Sequence, residues 1–283
     1  MELLKTIAQM RDWIANQKKA GHTIGLVPTM GYLHEGHLSL ARQARENNNA
    51  VVMSIFVNPL QFGPREDFAT YPRDLEADCR LAERTGIDVV FYPDPEEIYP
   101  QYPPFTVVDV KGVTEVLCGA SRPGHFTGVA TVVTKLFNII QPDRAYFGQK
   151  DYQQVQVIKR IVADLNIPVQ IETVPIKREA DGLAMSSRNN YLSPGERQEA
   201  LCLYQALQIC RHMYENGENK VSAILEAMRT RILQEPSAVI DYIEICDAQT
   251  LAPMTEIKGS VVVALAVRIG KTRLIDNLLL EVR

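Results

Sequence analysis

Two histidines, His34 and His37, stand three residues apart, with Gly36 directly before the second one. The apolar run of residues 23–29 upstream is typical of a β-strand, and the glycine-bearing stretch after it predicts a turn into a helix near His37. The first turn of a helix has N–H groups without intrahelical partners and the positive end of the helix dipole. Imidazoles at such a helix start can donate hydrogen bonds to an anion, so the pair favours a phosphate-binding site.

Metal binding is one alternative for this histidine pair. Two zinc-binding histidines on one helix face usually stand four residues apart, as in HExxH, whereas His34 and His37 are three apart with Glu35 between them. His125 is a conceivable third ligand, but nothing in the sequence connects it to the pair. A second alternative is that the two histidines only cap the helix. We interpret the pair as phosphate-binding and keep both alternatives open.

The elements that must position these histidines alternate between strand and helix patterns. The strand-like runs are residues 23–29, 50–58, 88–93, 144–149 and 168–176. The helical patterns are residues 1–21, 37–48, 73–86, 127–141 and 151–166. Near-continuous apolar runs separated by helices predict a parallel sheet with helices on both faces. Such a sheet binds its ligands beyond the carboxyl ends of the strands, near the point where the strand order reverses.

The pattern changes after residues 181–198. Ser193, Pro194 and Glu196 give a strong helix-start signal. Two helical patterns and three strand-like runs follow, at about residues 194–215, 219–234, 239–247, 260–269 and 273–282. The sequence therefore predicts an α/β domain over residues 1–176 and a smaller C-terminal α+β domain over residues 177–283.

Composition limits the classes of function. The 283 residues are 46% hydrophobic and 23% charged, with a net charge of −4, as in an ordinary soluble globular protein. Acidic and basic residues interleave, which argues against nucleic-acid binding. No run approaches the ~20 apolar residues of a membrane span, so we expect no membrane association. The five cysteines lack CxxC spacing, which predicts reduced thiols and a cytoplasmic location.

A series of motifs carries a resemblance to a known family. The stretch 27-VPTMGYLHEGH-37 resembles the nucleotide-binding motif of the pantoate–β-alanine ligase (pantothenate synthetase) family, a form of the HxGH signature of the HIGH-type adenylating superfamily. HxGH alone occurs in many nucleotidyltransferases, so the further matches decide which family the chain resembles. They are, in order, 54-SIFVNPLQF-62, 71-YPR-73, 119-GASRPGHFTGV-129, 148-GQKDYQQ-154, 181-DGLAMSSRN-189, 246-CDAQTL-251 and 273-RLIDN-277. The resemblance covers essentially the whole chain.

The resemblance implies a ligase that works in two half-reactions. ATP and pantoate give pantoyl adenylate and pyrophosphate, and β-alanine then attacks the adenylate to give pantothenate and AMP. The implied fold is a Rossmann-like doubly wound parallel sheet with a smaller C-terminal α+β domain that closes over the active site. A homodimer is implied as well, and Mg²⁺ is expected to accompany ATP.

The resemblance also implies roles for individual residues. The catalytic candidates are His37, His34, Lys150 and Arg188. The ATP-binding candidates are Met30, Gly31, His34, His37, Gly148, Gln149, Lys150, Asp151, Lys177, Met185, Ser186, Ser187 and Arg188. The candidates for binding pantoate or β-alanine are Gln61, Gln154, Asn58 and Arg122, with His125 as a weaker one. The segment 185-MSSR-188 resembles the second phosphate-binding loop of the superfamily, with Arg188 where the superfamily motif has a lysine.

The chain departs from the family pattern at two positions. Asp78 matches an acidic position that is associated with the metal ion in some members, but Ala77 stands where those relatives have a second aspartate. Asp78 is thus a candidate metal ligand, while the ATP phosphates are expected to supply most of the ligands of the ion. Gln149 stands where many relatives have glutamate, which matters little if the backbone makes the contact.

Two other functions remain open at this point. One is a nucleotidyltransferase that adenylates a phosphorylated acceptor, for which we would expect additional arginine or lysine in place of Gln61 and Gln154. The other is a nucleotide-binding regulator without catalysis, which would need less charge directed at phosphates than His34, His37, Lys150 and Arg188 supply.

Overall fold

The computed structural model describes residues 1–64 and 66–281, which fold into two compact units. The first unit consists of Met1–Lys111, Arg122–Gln149 and Gln154–Pro175. The second unit consists of Gly112–Ser121, Lys150–Gln153 and the chain from Ile176 onward. Two short segments from the N-terminal part of the sequence therefore belong to the second unit, and one of them contains Lys150 and Asp151.

Strands and helices alternate through the first unit. The strands of the chain are β1 (Glu2–Leu4), β2 (Ile24–Thr29), β3 (Ala50–Ile55), β4 (Val89–Phe91), β5 (Arg144–Gly148), β6 (Gln170–Val174), β7 (Ala238–Asp247), β8 (Val261–Ile269) and β9 (Thr272–Leu280). The helices of the described part are α1 (Ile7–Lys19), α2 (Glu35–Asn47), α3 (Leu75–Arg84), α4 (Pro95–Ile98), α5 (Leu117–Ser121), α6 (His125–Ile140), α7 (Tyr152–Asp164), α8 (Pro194–Glu199), α9 (Leu201–Glu215) and α10 (Val221–Ile232). Short 3₁₀ turns lie at Pro59–Gln61, Gln149–Asp151 and Ser187–Tyr191.

The first unit is built on a parallel sheet with the strand order β1-β4-β3-β2-β5-β6. The chain runs from β2 outward through β3 to β4, and β5 then returns to the other side of β2. Right-handed crossovers with this reversal put the helices of the two halves on opposite faces. The prediction of a doubly wound, Rossmann-like α/β sheet is confirmed. The reversal between β2 and β5 marks the edge where a ligand is expected.

One prediction for the N-terminus is wrong. Residues 1–21 do not form a single helix, because β1 pairs in parallel with β4 and α1 begins only at Ile7. Thr6 caps α1: its side chain accepts the N–H of Gln9, and the side chain of Gln9 accepts the N–H of Thr6. Three residues of strand are too few for a period to show in the sequence. The edge of the sheet, supplied by distant residues, decides their conformation.

The second unit contains the antiparallel sheet β7-β8-β9 and the helices α8 to α10. The three predicted strands, the helix at about residues 219–234 and the helix start at Ser193, which forms a capping box with Glu196, are confirmed. The helix predicted over residues 194–215 is divided at Ala200 into α8 and α9. A register shift between Ile240 and Tyr242 forms a β-bulge in β7. In the part of the chain that the structure describes, no helix is both long and apolar enough to cross a membrane.

Candidate active site

The loop between β2 and α2 has an unusual backbone. Gly31 and Tyr32 both have positive φ angles, of 82° and 51°. A Cβ atom on Gly31 would lie 2.8 Å from an Asp78 oxygen, so only glycine fits there without displacement. The hydroxyl of Thr29 accepts the N–H of Gly31 at 3.1 Å and donates to the carbonyl of Ser54 at 2.8 Å. The loop is thus fixed against the ends of β2 and β3.

Asp78 holds the same loop from α3. Its side chain is buried, and its two carboxylate oxygens accept the N–H groups of Tyr32 at 2.8 Å and Leu33 at 2.7 Å. Burial raises the pKa of the Asp78 carboxyl, and the two N–H groups oppose that rise. The described residues contain no group of three or more His, Cys, Asp or Glu side chains placed to hold a metal ion. Metal ligation by Asp78 stays a prediction, whereas its hydrogen bonds to the loop are a structural fact.

The two histidines lie at the start of α2, with ring centroids 4.1 Å apart. His34 is the N-cap residue: its Nδ1 accepts the N–H of Gly36 at 3.1 Å, and Nδ1 of His37 accepts the N–H of His34 at 3.3 Å. A nitrogen that accepts an N–H carries no proton itself, so each neutral ring has its proton on Nε2. The histidines therefore cap the helix through Nδ1 and also offer Nε2–H donors at its positive end.

Asn58 is the N-cap residue of the 3₁₀ turn Pro59–Gln61 and is 1% exposed. Its Nδ2 donates to Oε1 of Gln61 at 3.0 Å and to the carbonyl of Gly128 at 3.1 Å. Its Oδ1 accepts the Tyr99 hydroxyl at 2.9 Å and the N–H of Leu60 at 3.3 Å. The hydrogen-bonding capacity of the Asn58 amide is used within the protein, so Asn58 orients the Gln61 side chain.

Gln61 also connects two predicted binding positions. Its Nε2 lies 3.3 Å from the sulfur of Met30, which precedes the glycine of the histidine loop. A predicted pantoate-binding side chain is therefore in contact with a predicted nucleotide-binding residue. Both belong to the first unit, at the carboxyl ends of neighbouring strands.

Arg122 and His125 form a chain of polar contacts that ends at Gln61. Arg122 donates to both carboxylate oxygens of Glu66, at 2.6 and 2.7 Å, and lies 2.9 Å from Nε2 of His125. Arginine only donates, so Nδ1 of His125 carries the proton and donates to the Gln61 carbonyl at 2.9 Å. Burial alone would raise the pKa of Glu66, but the Arg122 guanidinium and the N–H of Gly63 hold it at about 2. Glu66 lies outside the motifs quoted above and was not predicted from the sequence.

The remaining predicted residues of the first unit lie after β5. Gly148 ends that strand, Gln149 begins a 3₁₀ turn, and Gln154 is half-buried on α7. Because β5 is one of the two strands at the reversal of strand order, these residues lie at the edge where a ligand is expected.

In the second unit, Lys150 and Asp151 are neighbours in an ion pair, with Nζ 3.4 Å from Oδ2. The carbonyl of Lys150 accepts a hydrogen bond from Nδ2 of Asn277 at 2.9 Å. The predicted lysine is therefore held through its backbone, and its side chain is paired with Asp151.

The segment 185–188 is an ordered turn. The N–H of Met185 donates to the carbonyl of Lys177 at 3.0 Å, which joins two predicted ATP-binding residues. The hydroxyl of Ser186 accepts the N–H of Arg188 at 3.3 Å and caps the 3₁₀ turn Ser187–Tyr191. The structure thus brings Lys177 and the serine–arginine segment together within the second unit.

Sequence reasoning missed Arg178 and Asp276. Arg178 donates to both carboxylate oxygens of Asp276, at 2.6 and 2.8 Å, and to the carbonyl of Gly182 at 3.0 Å. The signal was present in the sequence, because Asp276 and Asn277 interrupt an otherwise apolar strand. The sequence did not show which residues would bind them.

Comparisons with known proteins show which proteins this chain is similar to. A pantothenate synthetase from Moorella thermoacetica is 61% identical over 283 residues, which are 100% of this chain and 99% of the relative. The solved structure of pantothenate synthetase from Thermus thermophilus superposes with a TM-score of 0.93 at 47% identity, covering 98% of this chain and 99% of that one. The pantoate-beta-alanine ligase from Francisella tularensis, solved in complex with beta-gamma ATP and beta-alanine, has a TM-score of 0.81 at 35% identity, covering 99% of this chain and 97% of that one.

The family model for pantoate-beta-alanine ligase matches residues 2–279. This match spans both units and every motif described above. The chain therefore belongs to the pantoate-beta-alanine ligase family and is a ligase that forms an amide bond.

Proposed function

We propose that this protein condenses pantoate with β-alanine at the expense of ATP, through a pantoyl-adenylate intermediate. In the first half-reaction a pantoate carboxylate oxygen attacks the α-phosphorus of ATP, and the bond to the β-phosphate breaks to release pyrophosphate. In the second half-reaction the neutral amine of β-alanine attacks the acyl carbon. The bond from that carbon to the phosphate oxygen breaks, AMP leaves, and the nitrogen loses its extra proton.

The observation that carries this proposal is the pair of Nε2–H donors at the start of α2. The first half-reaction gathers negative charge on the α-phosphate and on the departing pyrophosphate. Donors that are fixed before the reaction stabilise such charge with little reorganisation. The Nδ1 hydrogen bonds of His34 and His37 orient both rings, so we assign them to the triphosphate, with His37 as the more critical residue. Lys150 and Arg188 supply the cationic charge.

The other nucleotide contacts follow from the same assignment. Met30 and Gly31 lie along the nucleotide. The hydroxyls and backbone of the serine–arginine segment and the residues after β5 provide the remaining donors. These further ATP-binding residues are Gly148, Gln149, Asp151, Lys177, Met185, Ser186 and Ser187. Tyr32 and Leu33 donate their N–H groups to Asp78, so we do not assign these two N–H groups to phosphate.

Gln61 and Gln154 are assigned to pantoate, and Asn58 and Arg122 to the β-alanine or pantoate side of the site. An uncharged amide can donate to the pantoate carboxylate and still leave its oxygen reactive, whereas an arginine would reduce its nucleophilicity. Asn58 acts through Gln61, which it orients. Glu66 compensates the charge of Arg122, which keeps this part of the pocket close to neutral.

Magnesium is expected to enter with ATP. Bound to the phosphates, Mg²⁺ neutralises charge and orients the leaving group. Within the described residues the acidic side chains do not form a metal-binding cluster, which fits an ion held mainly by phosphate oxygens and water. Asp78 remains the candidate protein ligand.

We also propose a cytoplasmic homodimer. The five cysteines are free and four of them are buried, which fits a reducing compartment. Tyr102, Phe105 and Val107 are exposed by 55%, 93% and 47%, and exposed large apolar side chains so close together in the sequence are typical of a surface covered by another chain. Phe105→Ser tests the dimer: sedimentation velocity should show a dimer for the wild type and a larger monomer fraction for the variant.

The function is tested by incubating the protein with ATP, magnesium and pantoate, with and without β-alanine, and by following AMP and pantothenate. We expect AMP and pantothenate to form together only when β-alanine is present. His37→Ala should lower kcat by about 100- to 1000-fold, because a fixed donor to the developing charge is removed. His22→Ala is the matched control, since His22 is exposed and contacts Gln17 instead.

Two results would contradict the proposal. If β-alanine-dependent AMP does not form, the ligase reaction is wrong. AMP transfer to a phosphorylated acceptor would instead support the nucleotidyltransferase alternative, which the comparisons do not favour. If folded His37→Ala turns over like the His22→Ala control, the role assigned to His37 is wrong.

A further inference from the structure

Two adjacent polar residues lie in the middle of an apolar strand. Asp276 and Asn277 are each 3% exposed, and the residues around them in β9 are mostly apolar. Burial of polar groups is unfavourable unless they are hydrogen-bonded. Both side chains are bonded, but to different parts of the chain. Successive residues of a strand point to opposite faces of the sheet, so one strand can hold two separate segments.

The Asp276 side chain is on the same face of the sheet as Leu274 and Leu278, which belong to the core formed with α9 and α10. There its carboxylate accepts two hydrogen bonds from Arg178. The Arg178 guanidinium also lies 4.6 Å from the centre of the Tyr204 ring on α9. It is therefore held by a carboxylate and an aromatic ring at once.

Arg178 begins the segment that leads to the predicted phosphate-binding serines. It donates to the carbonyl of Gly182 and forms an isolated β-bridge with Ala184. The N–H of Met185 donates to the carbonyl of Lys177. Asp276 therefore fixes, through Arg178, the position of residues 178–185, which directly precede Ser186.

Asn277 is on the opposite face of β9 from Asp276, the same face as Leu279, which packs against the small core that contains Tyr152 and Val262. Its Nδ2 donates to the carbonyl of Lys150 at 2.9 Å. Tyr152 anchors the same segment, because its hydroxyl donates to the carbonyl of Ala248 at 2.6 Å. Asn277 thus fixes the backbone of the lysine that is assigned to phosphate.

We infer that Asp276 and Asn277 are positioning residues, which hold the Lys150 segment and the 185–188 segment at a set separation for the triphosphate. This inference rests on the proposed function. Neither residue is assigned a contact with substrate. A strand is a rigid spacer, and displacing a catalytic group by about 1 Å can lower the rate by roughly 100-fold. The buried pair is therefore expected to affect the adenylation half-reaction rather than only the stability.

The test compares Asp276→Asn with Asp241→Asn. Asp241 lies on the same sheet and accepts two hydrogen bonds from Arg273, at 2.7 and 2.9 Å, so it is a more exposed aspartate–arginine pair that holds neither of the two segments. Pantoate-dependent exchange of pyrophosphate into ATP reports the first half-reaction. We expect Asp276→Asn to slow this exchange by about 10- to 100-fold, and Asp241→Asn to stay within about twofold of the wild type.

Asn277→Asp tests the second residue at constant side-chain shape, since a carboxylate cannot donate to the Lys150 carbonyl. We expect a lower kcat and a higher KM for ATP, with the KM for β-alanine nearly unchanged. If Asp276→Asn does not fold, the experiment uses the double variant Asp276→Asn/Arg178→Gln instead, which removes both charges of the pair. That double variant should show the same loss of exchange while folded.

The inference is overturned if the folded variants at 276 and 277 exchange pyrophosphate as fast as Asp241→Asn. It is also overturned if the KM values for ATP and β-alanine rise equally. Failure of the proposed function would look different, because the wild type itself would then form no pantothenate.

Discussion

The two units hold their predicted phosphate-binding segments by different means, although each uses an aspartate that is 3% exposed. In the first unit, Asp78 accepts two backbone N–H groups of a loop with left-handed residues. In the second unit, Asp276 accepts a bidentate hydrogen bond from Arg178. One carboxylate is satisfied by backbone dipoles and the other by a full positive charge. The first anchor is thus built from loop geometry, and the second from an ion pair.

The difference has an energetic consequence. Removing one partner of a buried ion pair leaves an unpaired charge, which costs about 3–5 kcal/mol. Removing an acceptor from a buried N–H group costs about 1–3 kcal/mol. The second anchor should therefore be the more sensitive of the two in stability.

The largest effect is expected for Arg178→Met, which leaves the Asp276 carboxylate buried without its cation. We expect the free energy of unfolding to fall by about 3–5 kcal/mol. Urea denaturation of the purified protein measures it, with Arg273→Met as the control, since the Asp241 carboxylate that it would leave without a cation is more exposed. A loss for Arg178→Met no greater than that for the control would contradict the ranking of the two anchors.

A smaller loss is expected for Asp78→Asn. The amide keeps one acceptor for the loop but turns its NH₂ group towards the other N–H, so the free energy of unfolding should fall by about 1–3 kcal/mol. The activity should fall further than the stability suggests, because the loop leads directly into His34. Asp74→Asn is the control, since asparagine keeps the helix cap that Asp74 provides. Equal turnover in the two variants would show that the loop does not depend on the Asp78 charge.

Gly31→Ala tests the backbone contribution. Alanine at a φ of 82° is strained by about 1–2 kcal/mol, and its Cβ would meet the Asp78 carboxylate. We expect a lower kcat, because the strain displaces the histidine loop. Gly217→Ala has a similar positive φ in open space, so it measures the strain alone. If both variants have the same kcat, the close approach of Asp78 to Gly31 does not affect catalysis.

The smallest effect is expected at Glu66, a third carboxylate that is paired but only partly buried. Its pKa of about 2 lies below the ordinary value of 4.5, so the pair stabilises the fold above pH 4.5 and loses that contribution as the pH falls towards 2. Glu66→Gln should flatten the pH dependence of unfolding in that window and cost about 1 kcal/mol at pH 7. Identical pH profiles for variant and wild type would show that Arg122 does not depress this pKa.

The sequence predicted the elements that have a strong period and the residues that lie in contiguous motifs. The predicted strands, a helix start near His37 and the helix start at Ser193 follow from local patterns, and they are confirmed, with α2 beginning at Glu35. The strand β1 was missed because the strand it pairs with, β4, lies far along the chain. The side-chain hydrogen bonds that orient Gln61 from Asn58 also depend on tertiary packing.

Asp276 and Arg178 show the limit most clearly, since 98 residues separate them. An aspartate in an apolar strand indicates a buried carboxylate that requires a hydrogen-bonding partner. The spacing of residues in the sequence does not identify which arginine is that partner. The same holds for Glu66 and Arg122, which are 56 residues apart. Patterns in a single sequence describe local structure, whereas these pairs depend on tertiary contacts between distant segments of the chain.

The contact between Lys150 and Asn277 has a consequence for biosynthesis. A chain leaving the ribosome exposes Lys150 long before residue 277 is made, so the lysine receives its backbone anchor only when translation is almost complete. A nascent chain that stops before β9 already contains every strand of the parallel sheet, and it still lacks the residues that fix Lys150 and Arg178. The contacts that fix Lys150 and Arg178 are therefore among the last that the growing chain can form.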